Sequence, residues 1–330
     1  MGLEHDASLL FVPDAALRAL LEHLAKGIER VFDRVSHVSS LGSDGACESS
    51  GGGVVVHTEG GGDQREFDLV VGADGLDSTV RSSLEAAVKA AGSGGASSRA
   101  TDRGRSADDI PHVVRRGYVV IRGTSTIDAL DRGAAFQAWG PKQRFAAVPL
   151  GRNKAAWFAT IACSAKDVEF VMAGLVIGQN NSGAARNDAN LGDAGATNTL
   201  DALSVQFGGW DARVGALLRG TDPLSVVAED ARALSSSAES LLVGSDKCTL
   251  VGDALHCVDP VLAQGAGVAF EDAHALAVNL IGCTTGASAG YALRSYLAQR
   301  SRRTTNLRRI AAVSQWFGQV RLSRLAHAQL

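Results

Sequence analysis

The sequence is short of features that would assign it at once. Its cysteines, Cys47, Cys163, Cys248, Cys257 and Cys283, are odd in number, widely spaced and free of any C-x-x-C pair. That excludes a disulfide framework and suggests no zinc or other metal site, so a reducing compartment, cytoplasmic by default, is expected. The longest apolar run lies around Phe170 to Ile177 and falls far short of the ~20 residues that cross a bilayer, so stable membrane insertion is not expected. The opening Met1-Gly2-Leu3-Glu4-His5-Asp6 lacks the basic segment and apolar stretch of a secretory signal. Its Met-Gly start has Asp where a myristoylation signal carries Ser or Thr. Neither sign of charge prevails, with 32 basic and 35 acidic residues giving a net charge of −3, and no nucleic-acid partner is implied.

What is present is an ordinary globular composition, 45% hydrophobic and 20% charged over 330 residues, long enough for about two domains. Glycine is in excess at 38 residues, above the usual share of ~7%, and much of it lies in low-complexity stretches at Gly42 to Gly62, Gly92 to Ser106 and Gly178 to Thr199. These read as surface insertions. Leu17, Leu20, Leu21 and Leu24 recur at helical spacing after Asp14, a candidate N-cap, and predict a helix over 14–26. Val54-Val55-Val56 and Phe67-Asp68-Leu69-Val70-Val71 predict strands, the second ending at Gly72 and buried on both faces.

From 112 to 162 the runs Tyr118 to Ile121, Phe145 to Val148 and Ala156 to Ala159 predict a mostly antiparallel sheet. Thr249-Leu250-Val251 predicts another buried strand. A helix follows from about Val268 to Leu280, with Phe270, Ala273, Ala277 and Leu280 on one side and Glu271 and Asp272 in its first turn, where the helix dipole favours acids. The rest, from Gly286, reads as helix. It is rich in arginine and free of acids, and Arg300, Arg302, Arg303, Arg308 and Arg309 are read as a solvated face rather than a nucleic-acid or membrane arm.

Two segments carry the chemistry: Asp68 to Arg81, containing Gly72-Ala73-Asp74-Gly75, and Leu250 to Gly267, containing Gly252-Asp253-Ala254-Leu255-His256 and Gln264-Gly265-Ala266-Gly267. Each is a strand that ends in an acid. Ligands of α/β sheets bind at the carboxyl ends of strands, where Asp74 and Asp253 could accept hydrogen bonds from sugar-like hydroxyls. Taken alone, either Asp could equally be a turn or helix-cap residue. Small residues at Gly265 to Gly267 would let a planar ligand approach the backbone, with unpaired N–H groups facing negative charge on it. His256 reads as a structural hydrogen-bonding residue and Cys257 as a small buried hydrophobe. Arg122, ending a strand, could face a substrate or pair with an acid.

These segments resemble the D-G-x-x-S-x-x-R motif and the G-D-A-x-H-x-x-x-P motif, with its later G-Q-G and E-D-A, of the FAD-dependent aromatic hydroxylases and epoxidases. The likeness is to the para-hydroxybenzoate hydroxylase-like enzymes and, within them, to the salicylate hydroxylase and zeaxanthin epoxidase branch. The segments Tyr118 to Gly123, Trp139 to Leu150 and Trp157 to Ala159 are similar to that branch's substrate-domain strands. The resemblance implies an α/β, three-layer FAD/NAD(P)-binding domain with an inserted, mostly antiparallel β substrate domain. It places the FAD-binding domain at 1–108 and 240–285, the substrate domain at 109–239 and C-terminal helices at 286–330.

The resemblance further implies FAD as cofactor and NADH or NADPH as co-substrate. Oxygen would add at flavin C4a, and the hydroperoxide would pass one oxygen atom to an aromatic or isoprenoid-like small molecule. Cofactor binding would fall to Gly252, Asp253, Gln264, Gly265, Ala266, Gly267, Asp74, Gly75 and Arg81, with Pro260 beside the flavin ring and Arg122 toward the substrate.

Two departures stand out. The family's opening strand-loop-helix with G-x-G-x-x-G is not found in this sequence, and Asp14 stands where an arginine would meet phosphate, which raises a second hypothesis of a non-catalytic member that binds flavin weakly or serves as an interaction protein. Ala263 replaces the first glycine of G-Q-G, a change of one methyl group. A third reading, a metal-dependent phosphoesterase built on Gly252-Asp253 and His256, requires an upstream Asp-x-His pair, and Asp109-Ile110-Pro111-His112 has the wrong spacing.

Overall fold

The computed structural model describes residues 14–40, 53–59, 64–93, 112–126, 130, 134–151, 153–164, 189–190, 192–235 and 246–316. The Asp14 side chain, Cys47, the run from Phe170 to Ile177, most of the glycine-rich stretches and residues 317–330 lie outside them. The chain divides into two compact units, one of residues 1–30, 117–231 and 316–330, the other of residues 31–116 and 232–315. The architecture is mixed α/β, as the sequence predicts.

In the first unit, β5 (Val113–Ser125), β6 (Phe136–Gly140), β7 (Gln143–Gly151) and β8 (Lys154–Ala162) are joined by β9 (Ala189–Asn190) and β10 (Val227–Leu234) in one sheet of order β6-β7-β8-β5-β10-β9. β5 pairs antiparallel with β8, β6 with β7 and β7 with β8. Alternation puts Val119, Ile121, Phe145 and Trp157 on one face, all buried. They pack with Leu203 of α3 (Gly192–Gln206), with Phe207 just beyond it, and with Val214 and Leu217 of α4 (Ala212–Arg219). The indole N–H of Trp157 is not left unpaired in this core, since it donates to Thr221 Oγ1 at 2.8 Å.

The second unit holds an antiparallel sheet of β1 (Val35–Ser40), β2 (Val54–Thr58) and β3 (Arg65–Phe67), and a parallel pair of β4 (Val70–Gly72) and β11 (Cys248–Leu250). The run from Phe67 to Val71, read above as one strand, is thus split between two sheets. Asp68 and Leu69 lie in neither strand. Nor is the second half buried on both faces, because Val71 is 39% exposed. The unit's core joins Val54, Val80, Cys248, Leu250, Leu276, Leu293 and Tyr296. Its helices are α2 (Thr79–Ser93), α5 (Gly265–Leu280) and α6 (Gly286–Trp316). No helix among the described residues is long and apolar enough to cross a membrane. The helix expected near the start is present as α1 (Asp14–Leu24), with Leu20, Leu21 and Leu24 exposed.

Candidate functional site

The two motif strands are neighbours. β4 and β11 pair in parallel with Leu250 opposite Gly72, and the Val251 N–H donates to the Gly72 carbonyl at 2.9 Å. The strands therefore end side by side, and Asp74 and Asp253 follow within a few residues of the same edge. Gly72 permits this closeness. A Cβ there would lie 2.6 Å from Leu250 Cδ2 and 2.8 Å from Val80 Cβ.

Beyond β11 the chain enters a 3₁₀ turn, Gly252–Ala254, with Gly252 at φ +59°, a region open to glycine at little cost. Asp253 is solvent-exposed at the tip of this turn. The protein packed behind it limits hydration and holds its carboxyl above the ordinary carboxylate range, with His256 opposing the rise and Asp272 adding to it.

A second 3₁₀ turn begins at Pro260. Its N-cap, Asp259, accepts the Val261 N–H at 3.0 Å and the Arg116 Nε–H at 2.6 Å. Ala263 ends that turn at φ +53°, ψ +34°. The exchange of glycine for alanine is therefore more than an added methyl, since it puts an L-residue in the left-handed region.

α5 opens at Gly265 behind Gln264, which caps it with no side-chain bond. Its first N–H groups are left unpaired within the helix, as at any helix start. Gln264, Ala266 and Gly267 are exposed, and a Cβ at Gly265 or Gly267 would meet nothing within 4 Å. This is the open, donor-lined surface that a flat group bearing partial negative charge requires.

The acids of α5 differ from expectation. Because the helix begins at Gly265, Glu271 and Asp272 lie beyond its first turn, and the buried face is Val268, Asp272, Ala275 and Leu276, while Phe270 is 47% exposed. Asp272 is fully buried and satisfied by three donors: Gly252 N–H at 2.8 Å, His256 Nε2 at 2.6 Å and Arg300 Nε at 2.5 Å. Since a carboxylate only accepts, Nε2 carries the His256 hydrogen. Glu271 is held by Arg303 and Arg300, with oxygen to nitrogen distances of 2.8 to 3.0 Å, which together depress its carboxyl to about 2.

Arg300 is therefore not on a solvated face. It is 6% exposed and interlocks α6 with α5, and Arg308 Nη2 donates to the His256 carbonyl at 2.8 Å. His256 is a buried hydrogen-bonding residue, as expected. Cys257 is buried too, its thiol pushed up to about 12 by burial.

Asp74 uses both carboxylate oxygens on α2, accepting from Ser78 Oγ at 2.5 Å and from the Thr79 and Val80 N–H groups at 2.8 and 3.2 Å. It caps that helix. Gly75 follows at φ +79°. Arg81 is buried and donates to the carbonyls of Ala254 and Leu76, so it reaches from one motif to the turn of the other. Arg122 belongs to the first unit, where it pairs with Glu229 at 2.8 Å. The residues missed by sequence reasoning are Asp259, Asp272, Arg116 and Arg300. Among the described residues, no group of three or more His, Cys, Asp or Glu is gathered to hold a metal ion.

A family described as an FAD binding domain matches residues 235–311, the stretch that contains β11, the Asp253 turn and α5. In sequence the chain is similar to monooxygenases and epoxidases. It is 29% identical over 260 residues to aurachin C monooxygenase/isomerase of Stigmatella aurantiaca, covering 77% of this chain and 54% of that protein. With the chloroplastic zeaxanthin epoxidase of Arabidopsis thaliana it shares 26% over 236 residues, covering 71% of this chain and 27% of that one. The chain thus spans about half or less of the length of these relatives. The fold matches that of Klebsiella pneumoniae HpxO complexed with FAD and uric acid, at TM-score 0.66 and 21% identity over 96% of this chain and 66% of that one. It also matches a salicylate hydroxylase substrate complex, at TM-score 0.59 and 17% identity over 95% and 68%. FAD is the cofactor that the matched domain indicates.

Proposed function

We propose that this chain forms part of an FAD-dependent monooxygenase that inserts one oxygen atom from O2 into an aromatic or isoprenoid-like small molecule, with NADH or NADPH as reductant. The observation that carries the reading is that two strand tips lie side by side and the turn after β11 packs on α5, the helix that opens with exposed glycine. Bound there, FAD would accept hydride and activate oxygen.

The chain's own residues bind and orient. Asp253 accepts hydrogen bonds from the hydroxylated side chain of the flavin. The N–H groups of Gly265, Ala266 and Gly267, after Gln264, would stabilise the negative charge that a flavin gains on reduction. Gly252 shapes the turn that presents Asp253, and Pro260 would be beside the flavin. Asp74, Gly75 and Arg81 serve the motif shared by FAD and the nicotinamide donor. Asp74 and Arg81 do so by holding backbone, as their hydrogen bonds suggest. Arg122 orients the substrate, its guanidinium held by Glu229.

The test is direct. Purified chain mixed with FAD and freed of excess is expected to retain visible flavin absorbance and to consume NAD(P)H in a flavin-dependent way. Colourless protein with no such consumption overturns the reading for this chain.

A further inference from the structure

Asp253 is bracketed by two buried ionic residues that hold backbone rather than ligand. On its N-terminal side, the Gly252 N–H is taken by Asp272 Oδ2 at 2.8 Å. On its C-terminal side, the Ala254 carbonyl is taken by Arg81 Nη1 at 2.9 Å. The turn closes on itself through the Leu255 and His256 N–H groups, both 3.0 Å from the Gly252 carbonyl. With Gly252 at φ +59°, the bond to its amide governs the dihedrals that aim the next side chain.

A carboxylate with no solvent contact is costly to bury, and apolar packing in its place is often as stable or more so. Stability alone therefore gives a weak reason for Asp272. Its oxygen is shared between the turn amide and His256 Nε2 at 2.6 Å, while Arg300 balances the charge through the other oxygen at 2.5 Å. His256 Nδ1, also buried, has no hydrogen-bond partner among the described residues, and among them the ring bonds through its side chain to Asp272.

We infer that Asp272, steadied by His256 and Arg300, is a positioning residue that fixes Asp253 for the hydroxylated side chain of the flavin and does not act on the ring. This rests on the proposed flavin-binding function.

Two ligands separate the parts of the site: riboflavin, which carries the ribityl chain, and lumiflavin, which has the ring without it. Each is titrated against the full chain by flavin fluorescence, with thermal unfolding followed in parallel. Asp272→Asn is expected to weaken riboflavin about tenfold, as loss of one charge-assisted contact would, and to leave lumiflavin within about twofold. Asp253→Asn should give the same pattern, and the double variant should lose no more than either single, because both remove one interaction.

His256→Leu should weaken riboflavin alone, and His256→Gln, whose amide can still donate to Asp272, should recover most of that loss. If Asp272→Asn does not fold, the two His256 variants make the same comparison. Equal weakening of both ligands, or additive losses in the double variant, overturns the inference while leaving flavin binding intact. Wild-type chain that binds neither ligand overturns the functional reading and this inference with it.

Discussion

Arg81 Nη1 lies 2.9 Å from the carbonyl oxygen of Ala254, a contact between residues 173 positions apart. The same buried guanidinium also reaches the Leu76 carbonyl and has its Nε 3.6 Å from Glu85. Truncation would leave those carbonyls unmet and remove the larger of the two cationic influences on Glu85, the other being Lys89. Arg81→Ala is expected to lower stability by about 3 kcal/mol, the scale of removing one partner from a buried ionic contact. Arg81→Lys should recover only part of this, because an ammonium lacks the fork that serves two carbonyls. Urea unfolding of the variants measures both, and a loss in Arg81→Ala no larger than at a surface arginine would refute the bridging role.

Ala263 offers a gain in stability. At φ +53° its side chain costs roughly 1–2 kcal/mol relative to glycine, while glycine returns about 0.4–1 kcal/mol of entropy to the unfolded chain. Ala263→Gly should therefore raise stability by a net of up to ~1.6 kcal/mol, read as a higher urea midpoint with an unchanged slope. A lower midpoint would contradict it.

Two glycines should respond oppositely to the same methyl. At Gly72 a Cβ would sit 2.6 Å from Leu250 Cδ2, and overpacking there should cost about 1–3 kcal/mol. At Gly267 a Cβ meets nothing within 4 Å. Gly267→Ala should leave folding unchanged or improve it by up to ~1 kcal/mol through helix propensity, yet weaken riboflavin and lumiflavin alike by filling the space for the ring. Equal flavin affinity in Gly267→Ala and wild type would remove the ring from this helix start.

These contrasts also show what sequence reading can reach. β11 and the helix after it were legible because a buried apolar run and a glycine stretch are local patterns. The junction at Phe67 to Val71 was not, since five consecutive residues with the look of one strand are divided between two sheets, and only the pairing of Val70 with Cys248 reveals it. Asp272 was misread for a related reason. Its donors lie 16, 20 and 28 residues away, so its burial is decided by tertiary partners that helical periodicity, which grouped Phe270, Ala273, Ala277 and Leu280 on one side, does not reveal. Of the two readings open to Asp74 in sequence, the helix cap is the one its hydrogen bonds bear out.

Acid sensitivity should reside partly in the Glu271 cluster. Arg303, then Arg300, hold the folded carboxyl at about 2 against an ordinary value of 4.5. A depressed carboxylate pKa contributes stability that is fully present above the unfolded value and is lost as pH falls from about 4.5 toward about 2. Because Glu271 and Arg303 are both partly exposed, solvent screening reduces the contribution, and salt should reduce it further. Glu271→Gln is expected to be less stable than wild type at pH 7 and to converge with it as the solution is acidified through that window. Unfolding midpoints of the two proteins at pH 7, 4.5 and 3, each at low and at high salt, measure this, and a constant difference across pH would assign the effect of Glu271 to packing rather than charge.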